Sequence, residues 1–278
     1  METNQYTPLT IERHELKYTI PYEYVEPISQ FVSAYCALDY HSAIAPENFY
    51  LVNSLYFDTR ENEFLRQRLW GKNGRFNMRV RFYGDGASGI RFAEIKKKKG
   101  SVSIKYRARL DRHEWPAILT DPSYRIPAAA PYRERVNKEM FLRLALSYAI
   151  EPRIFTQYRR RAFFSTVDDY ARVTMDISMK YRTQDHYGLD LGSPLVSYDN
   201  QNIYSKDSDL VNDARVILEL KCNVGQVPMW MLDLITTFDL KQQGFSKYMS
   251  SSLVAHYDDG VNYMSDDRRE AFFSPFSR

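Results

Sequence analysis

The sequence predicts an antiparallel α+β fold, and three observations carry that expectation. Segments in which apolar and polar residues alternate outnumber segments of helical period. The helical segments interrupt the strands irregularly, whereas a parallel βαβ sheet would need regular alternation. Tyr (22) and Phe (16) are abundant while Gly (11) is scarce, a composition suited to strands. At 278 residues, 44% hydrophobic and 26% charged, the chain has a globular balance that excludes wholesale disorder. One domain over 1–278 is expected, with a core at about 10–257 and a polar, aromatic-dotted tail at 260–278. There is no apolar run of about 18 residues for a membrane helix. The opening METNQYTPLTIERHE lacks the pattern of a secretory signal, so the expected location is cytoplasmic. Cys36 and Cys222 are too few for a disulfide scaffold or a zinc site and are expected to be free thiols.

The strands expected in order are 11–20, 51–58, 76–83, 90–96, 102–110, 154–165, 171–181 and 215–223, each with period-two character. Helices are expected near 22–38, near 60–69 after Asp58-Thr59, at 132–149, at 227–242 and around 246–257. The stretch from Pro122 to Pro131 reads as a loop leading into a helix.

Successive strand side chains point to opposite faces, so each strand can be sorted into two rows. Arg13, Glu15 and Lys17 share one face of the first strand, and Arg79 and Arg81 share one face near residue 80. Glu94 and Lys96, Lys105 and Arg107, Arg172 and Asp176, and Glu219 and Lys221 form similar rows. One reading is that these are solvated outer faces. Against it, like charges side by side on a strand are unfavourable unless an anion neutralises them. With Arg160 and Lys247 the faces hold 11 cations against four acids, a net of +7, although the whole chain carries only +3. The remainder is therefore −4. Such segregation favours a basic lumen built for a polyanion, since Arg grips phosphate bidentately and Lys adds a point charge. The few acids then suit Mg²⁺ or Mn²⁺ beside phosphate oxygens.

At these residues the sequence resembles the vacuolar transporter chaperone (VTC) domain, the polyphosphate polymerase branch of the triphosphate tunnel metalloenzymes. The resemblance lies in Arg-His-Glu-Leu-Lys-Tyr at 13–18, Asn-Ser-Leu-Tyr-Phe-Asp at 53–58 and Arg-Val-Arg-Phe-Tyr-Gly at 79–84. It continues in Glu-Ile-Lys at 94–96, Ser-Ile-Lys at 103–105, Tyr-Arg-Arg-Arg-Ala-Phe at 158–163 and Arg-Val-Thr-Met-Asp at 172–176. Leu-Glu-Leu-Lys at 218–221 and Phe-Ser-Lys-Tyr at 245–248 complete a set spanning about residues 10–257.

The resemblance implies a closed antiparallel β-barrel, a tunnel of about eight strands with helices packed on the outside. It implies a metal-dependent enzyme that moves the γ-phosphate of ATP onto a growing polyphosphate chain. Lys17, Arg79, Arg81, Lys96, Lys105, Arg160, Arg172 and Lys247 fall on its catalytic, phosphate-binding positions, with Arg160 open by one position within its run of three arginines. Ser246 falls on its substrate-binding serine, and Arg13, Arg107 and Lys221 from the same charged faces join it as expected substrate contacts. Glu219 falls on the metal-binding glutamate, while Glu15 either assists with metal or orients cations. Hydrolytic tunnel enzymes carry Glu-x-Glu-x-Lys in the first strand, where this chain has Arg13-x-Glu15-x-Lys17, which argues against two-metal hydrolysis. The regulatory domain and membrane anchor of eukaryotic members are not seen, so the expected partners are ATP and polyphosphate or pyrophosphate. No nucleic acid and no membrane insertion are expected, and a membrane-protein partner and the oligomeric state stay open.

A polyphosphate terminus is already ionised, so no general base is required. The scattered His14, His41, His113, His186 and His256 read as structural or solvent-facing. Glu94 and Asp176 read mainly as ion-pair partners of lumen arginines, and Lys97 to Lys99 as a basic tip at a turn. The aromatics read as packing surface rather than base-stacking platforms. No Walker or dinucleotide glycine loop occurs. Two alternatives remain: a metal-dependent triphosphatase or nucleotide-handling tunnel enzyme, and a non-catalytic polyphosphate-binding module.

Overall fold

A computed structural model describes residues 11–86, 89–100, 102–197, 216–242 and 244–257, without the side chains of 11–13, 256 and 257. The expected tail at 260–278 lies outside the described residues, as do the side chains of Arg13 and His256. The long strands are β1 (Ile11–Ile20), β3 (Tyr50–Asp58), β4 (Phe76–Tyr83), β5 (Arg91–Lys99), β6 (Val102–Leu110), β7 (Glu151–Ser165), β8 (Ala171–Thr183) and β10 (Val216–Asn223). Two short strands, β2 (Cys36–Leu38) and β9 (Val196–Ser197), were not expected from the sequence. The main helices are α1 (Val25–Ser33), α3 (Glu63–Leu69), α5 (Tyr132–Ser147), α6 (Met229–Thr237) and α7 (Lys247–Tyr257). Single turns of helix, α2 (Tyr40–Ile44) and α4 (Ala117–Thr120), were also unexpected. The helix expected at 22–38 stops at Ser33, and Cys36–Leu38 instead pairs with the end of β7. Lys97 to Lys99 continue β5 opposite Ile104, Ser103 and Val102, so the expected turn begins later, at Gly100.

The strands form one antiparallel sheet in the order β2-β7-β3-β4-β5-β6-β1-β10-β8-β9. β7 and β8, the outermost long strands of that series, also pair with each other, so the sheet curls back on itself. Curling gives it a convex and a concave face. On the convex face, Val173, Met175, Leu218 and Leu220 pack beneath α1 and α6 through Ile28, Val32, Met231 and Leu234. Elsewhere on that face, Leu55, Phe57, Met78, Val80 and Ile95 pack beneath α4 and α5 through Ile118, Phe141 and Ala145. These buried apolar rows are the alternate positions of the charged strands, and removing them from water is the main force holding the helices to the sheet.

α7 departs from the expectation that the helices lie outside. Its Tyr248 and Val254 cluster with Val52, Tyr56, Ile154, Tyr158 and Ile217, and Tyr56 and Tyr158 also line the concave cavity described below. The Tyr248 ring stacks on Tyr56 at 5.3 Å. The physical reason is that one stretch of the inner face is apolar. A β-bulge where β8 passes Ser178 (φ 53°) adds a residue, so Met179 and Tyr181 join this inner cluster. Strict alternation assigns those two side chains to the outside, and the bulge reverses them.

Candidate functional site

Aligned on the concave face, the charged rows of seven strands and the start of α7 surround a cavity of about 220 Å³. Its lining includes Lys17 and Glu15 from β1, Arg79 and Arg81 from β4, Lys96 from β5, and Lys105 and Arg107 from β6. β7 adds Arg160, β8 adds Arg172, β10 adds Glu219 and Lys221, and Ser246 and Lys247 enter from the start of α7. Of the expected site residues, Arg13 has no described side chain; its backbone lies opposite Asn223 of β10 and Ser103 of β6.

Two buried carboxylates organise the cations from within the wall, each set opposite a lining arginine in the strand register. Glu94 is 1% exposed and pairs with Arg79 at 2.6 Å, Lys105 at 2.6 Å and Arg107 at 2.7 Å, with Arg81 at 4.0 Å. Burial opposes ionisation of Glu94, but Lys105 and the arginines override it and hold the carboxyl well below the usual range. Asp176, fully buried, accepts two bonds from Arg160, at 2.6 and 2.8 Å, and a third from Lys247. Against its burial, those two cations also lower the Asp176 carboxyl. The Tyr56 hydroxyl accepts from Arg79 at 2.8 Å and the Tyr158 hydroxyl from Arg81 at 3.0 Å, which fixes each guanidinium in the wall.

Glu219 and Glu15 are the acids that reach the cavity itself. Glu219 lies 2.7 Å from Lys221 and 3.4 Å from Lys17, and these lysines hold its carboxyl well below the usual range against the cost of burial. Glu15 pairs with Lys96. Lys17 donates to the Phe245 carbonyl at 2.9 Å, and burial pulls its ammonium down to about 7 despite Glu219. Ser246 caps α7: its carbonyl accepts from the Ser250 amide at 2.8 Å. α7 is held in turn by Asp58, fully buried, which accepts from the amides of Phe64 and Leu65 at 2.8 and 2.9 Å and from the Tyr248 hydroxyl. One carboxylate thus joins the start of α3 to α7 and sets where Lys247 stands.

The lining also contains Tyr50, Tyr56, Tyr83, Tyr158, Arg68, Asn77 and Phe245, none of which is among the sequence-expected site residues. Tyr83 continues the row of Arg79 and Arg81, and Tyr158 precedes Arg160 by two, so the same alternation marks both. Arg68 belongs to α3, where no strand period applies. A second cavity, about 350 Å³, adjoins the first and shares Glu15, Lys17, Arg68, Asn77, Lys96 and Phe245 with it; Arg75 and Lys98 line its outer part. No described histidine lines either cavity. Cys36 and Cys222 are buried free thiols.

In fold, the chain is similar to a candidate adenylate cyclase from Bacillus halodurans (12% identity, TM-score 0.48, covering 86% of this chain and 96% of that one). It is similar to the PH1819 protein of Pyrococcus horikoshii OT3 (8% identity, TM-score 0.41, covering 86% and 96%). It is also similar to the Mimivirus capping enzyme triphosphatase (10% identity, TM-score 0.30, covering 82% and 89%). No curated protein matches the sequence. No helix among the described residues is long and apolar enough to cross a membrane. The family model of the VTC domain matches residues 12–256, nearly the whole of the curled sheet and its helices, and the chain belongs to the VTC domain family.

Proposed function

We propose that the chain is a polyphosphate polymerase, in which the curled sheet closes into a tunnel and the γ-phosphate of ATP passes to a polyphosphate end. The observation that carries this reading is the convergence of Lys17, Arg68, Arg79, Arg81, Lys96, Lys105, Arg107, Arg160, Arg172, Lys221 and Lys247 on one cavity. Among the described residues only Glu15 and Glu219 face them there as acids. Phosphoryl transfer asks a protein chiefly for in-line positioning and for charge stabilisation on the transferring group. Guanidinium groups already fixed by Glu94, Asp176 and the tyrosine hydroxyls meet both needs without reorganising. Arg79, Arg81, Arg160 and Arg172 would grip phosphate oxygens, and Lys17, Lys96, Lys105, Lys221 and Lys247 would balance the charge along the chain. Arg107 and Ser246 would add contacts at the ends of the run. The acceptor oxygen is ionised at neutral pH, consistent with a cavity that no described histidine lines.

Among the described residues no three of His, Cys, Asp and Glu cluster as a metal cage. Glu15 and Glu219 are nonetheless close enough for the charge of Glu219 to oppose ionisation of Glu15. A carboxylate pair beside phosphate oxygens suits Mg²⁺ or Mn²⁺, which take most ligands from phosphate and water. The residues fit a divalent ion that arrives with the phosphates, Glu219 as principal ligand and Glu15 assisting. Bound there, it would neutralise charge on the phosphoryl group.

The test is to incubate the protein with ATP and Mn²⁺ and to separate ADP, free phosphate and long-chain polyphosphate. ADP with a matching amount of polymer is expected. ADP with free phosphate and no polymer overturns the polymerase reading in favour of a triphosphatase. Tight binding of tripolyphosphate without ATP turnover makes the chain a polyphosphate-binding module.

A further inference from the structure

The two ends of the cavity differ in chemistry. At the end shared with the second cavity, Arg68, Arg75, Lys96 and Lys98 stand above rings that are already buried, Phe64 at 1% and Tyr248 at 2% exposure. Strand register sets Tyr50, Tyr83, Arg107 and Arg172 at the opposite end: on β4, Tyr83 stands six residues beyond Asn77, which lines both cavities, and on β6, Arg107 stands four beyond Ser103, which lines the second. There the aromatics are not buried. The His41 ring lies stacked on Tyr83 at 6.0 Å and 10°, and 5.5 Å from Tyr50. Tyr40 meets the edge of His41 at 5.6 Å and is 72% exposed. Arg107 donates to the Tyr83 hydroxyl at 2.7 Å.

This rim is tied to the phosphate-facing wall. Asp39 accepts from the Ser42 amide at 2.8 Å, which caps α2 and sets Tyr40 and His41 in place. Its other oxygen holds Arg172 at 3.2 Å. The exposed aromatic pair and a cavity arginine are therefore fixed by one carboxylate.

We propose that the rim formed by Tyr40, His41, Tyr50 and Tyr83 is the nucleobase site. The purine of a nucleoside triphosphate stacks there while its phosphates run inward past Arg107 and Arg172. Aromatic faces bind any base through stacking, and a neighbouring guanidinium reinforces them. The inference rests on the nucleotide-dependent reading above and deepens it by giving the substrate a direction: nucleoside at the aromatic end, phosphates toward the cationic end.

Calorimetric titration of the full chain with a non-hydrolysable ATP analogue and, separately, with inorganic tripolyphosphate tests it. Tyr40→Ala combined with His41→Ala is expected to weaken the analogue about 5- to 100-fold, the scale of base stacking. Tripolyphosphate affinity stays within about twofold of wild type, because no phosphate-facing cation is touched. His41→Phe, which keeps an aromatic face, retains most of the analogue affinity. Equal weakening of both ligands, or no weakening of the analogue, overturns the nucleobase assignment while leaving the phosphate cavity standing. A wild-type protein that binds neither ligand overturns the functional reading, and this inference with it.

Discussion

Replacing Glu94 by Gln keeps the shape of the side chain and removes the charge that holds three cations at 2.6–2.7 Å. Breaking a buried ion pair from one side costs about 3–5 kcal/mol, because the abandoned charge stays out of water. Lys105 and Arg107 are 34% and 37% exposed and recover hydration, so the cost falls on Arg79 and Arg81, at 12% and 5%. That points to the low end, about 3 kcal/mol. At about 2–4 °C per kcal/mol for a chain of this size, the melting temperature should fall by roughly 6–12 °C. Tripolyphosphate should then matter more to the variant than to wild type. Wild-type protein gains about 2.7 kcal/mol at 100 times the dissociation constant. The variant's cations lack their own counter-charge, so it binds more tightly and gains more at the same ligand concentration. Thermal unfolding in low salt, with and without tripolyphosphate, reads both effects. An unchanged melting temperature without ligand refutes the counter-ion role of Glu94. A ligand-induced shift smaller than that of wild type refutes the electrostatic account of the cavity.

Glu219→Gln should abolish polymer formation by orders of magnitude while calorimetry still detects tripolyphosphate binding; full activity in this variant excludes Glu219 as the metal ligand. Arg160→Lys gives up the two-pronged hold on Asp176 and should weaken tripolyphosphate about 10- to 100-fold, the scale of a charged hydrogen bond. A change below twofold contradicts that role. Glu94, Asp176 and Glu219 all have carboxyls held below their ordinary range. Their stabilisation is present above the ordinary carboxylate pKa of about 4 and is lost as pH falls through the lowered values. Circular dichroism should show stability falling steeply below about pH 4, and a flat profile down to pH 2 contradicts the pairing.

Alternation alone placed most of the strands, since β1, β4 and β6 begin and end where the pattern does. It also separated the charged row from the apolar row on each strand, because a strand offers only two faces. What it does not convey is which face is enclosed: Arg79 reads the same on a solvated sheet as on a concave one. It fails at Ser178, where one added residue carries Met179 and Tyr181 inside. It fails at Arg68, which reaches the cavity from a helix. α7 was legible as a helix, but its seat on the inner face depends on Tyr56, Tyr158 and Ile217 leaving an apolar stretch there. Three strands supply those residues, so no single segment announces the seat. Asp39 was likewise invisible, because its value lies in joining a helix cap to Arg172 across the fold.

The pairing of β1 with β10 sets Lys17 opposite Glu219, 202 positions apart in the chain. Contacts so distant in sequence are slow to form, since loop entropy must be lost before they are rewarded. During synthesis β1 leaves the ribosome long before β10 exists, and α7, which carries Lys247, comes later still. A growing chain therefore holds its cations scattered along unpaired strands. The proposed polyanion-binding surface assembles only when the last strand docks, so an unfinished chain does not present it complete to the polyanions it meets.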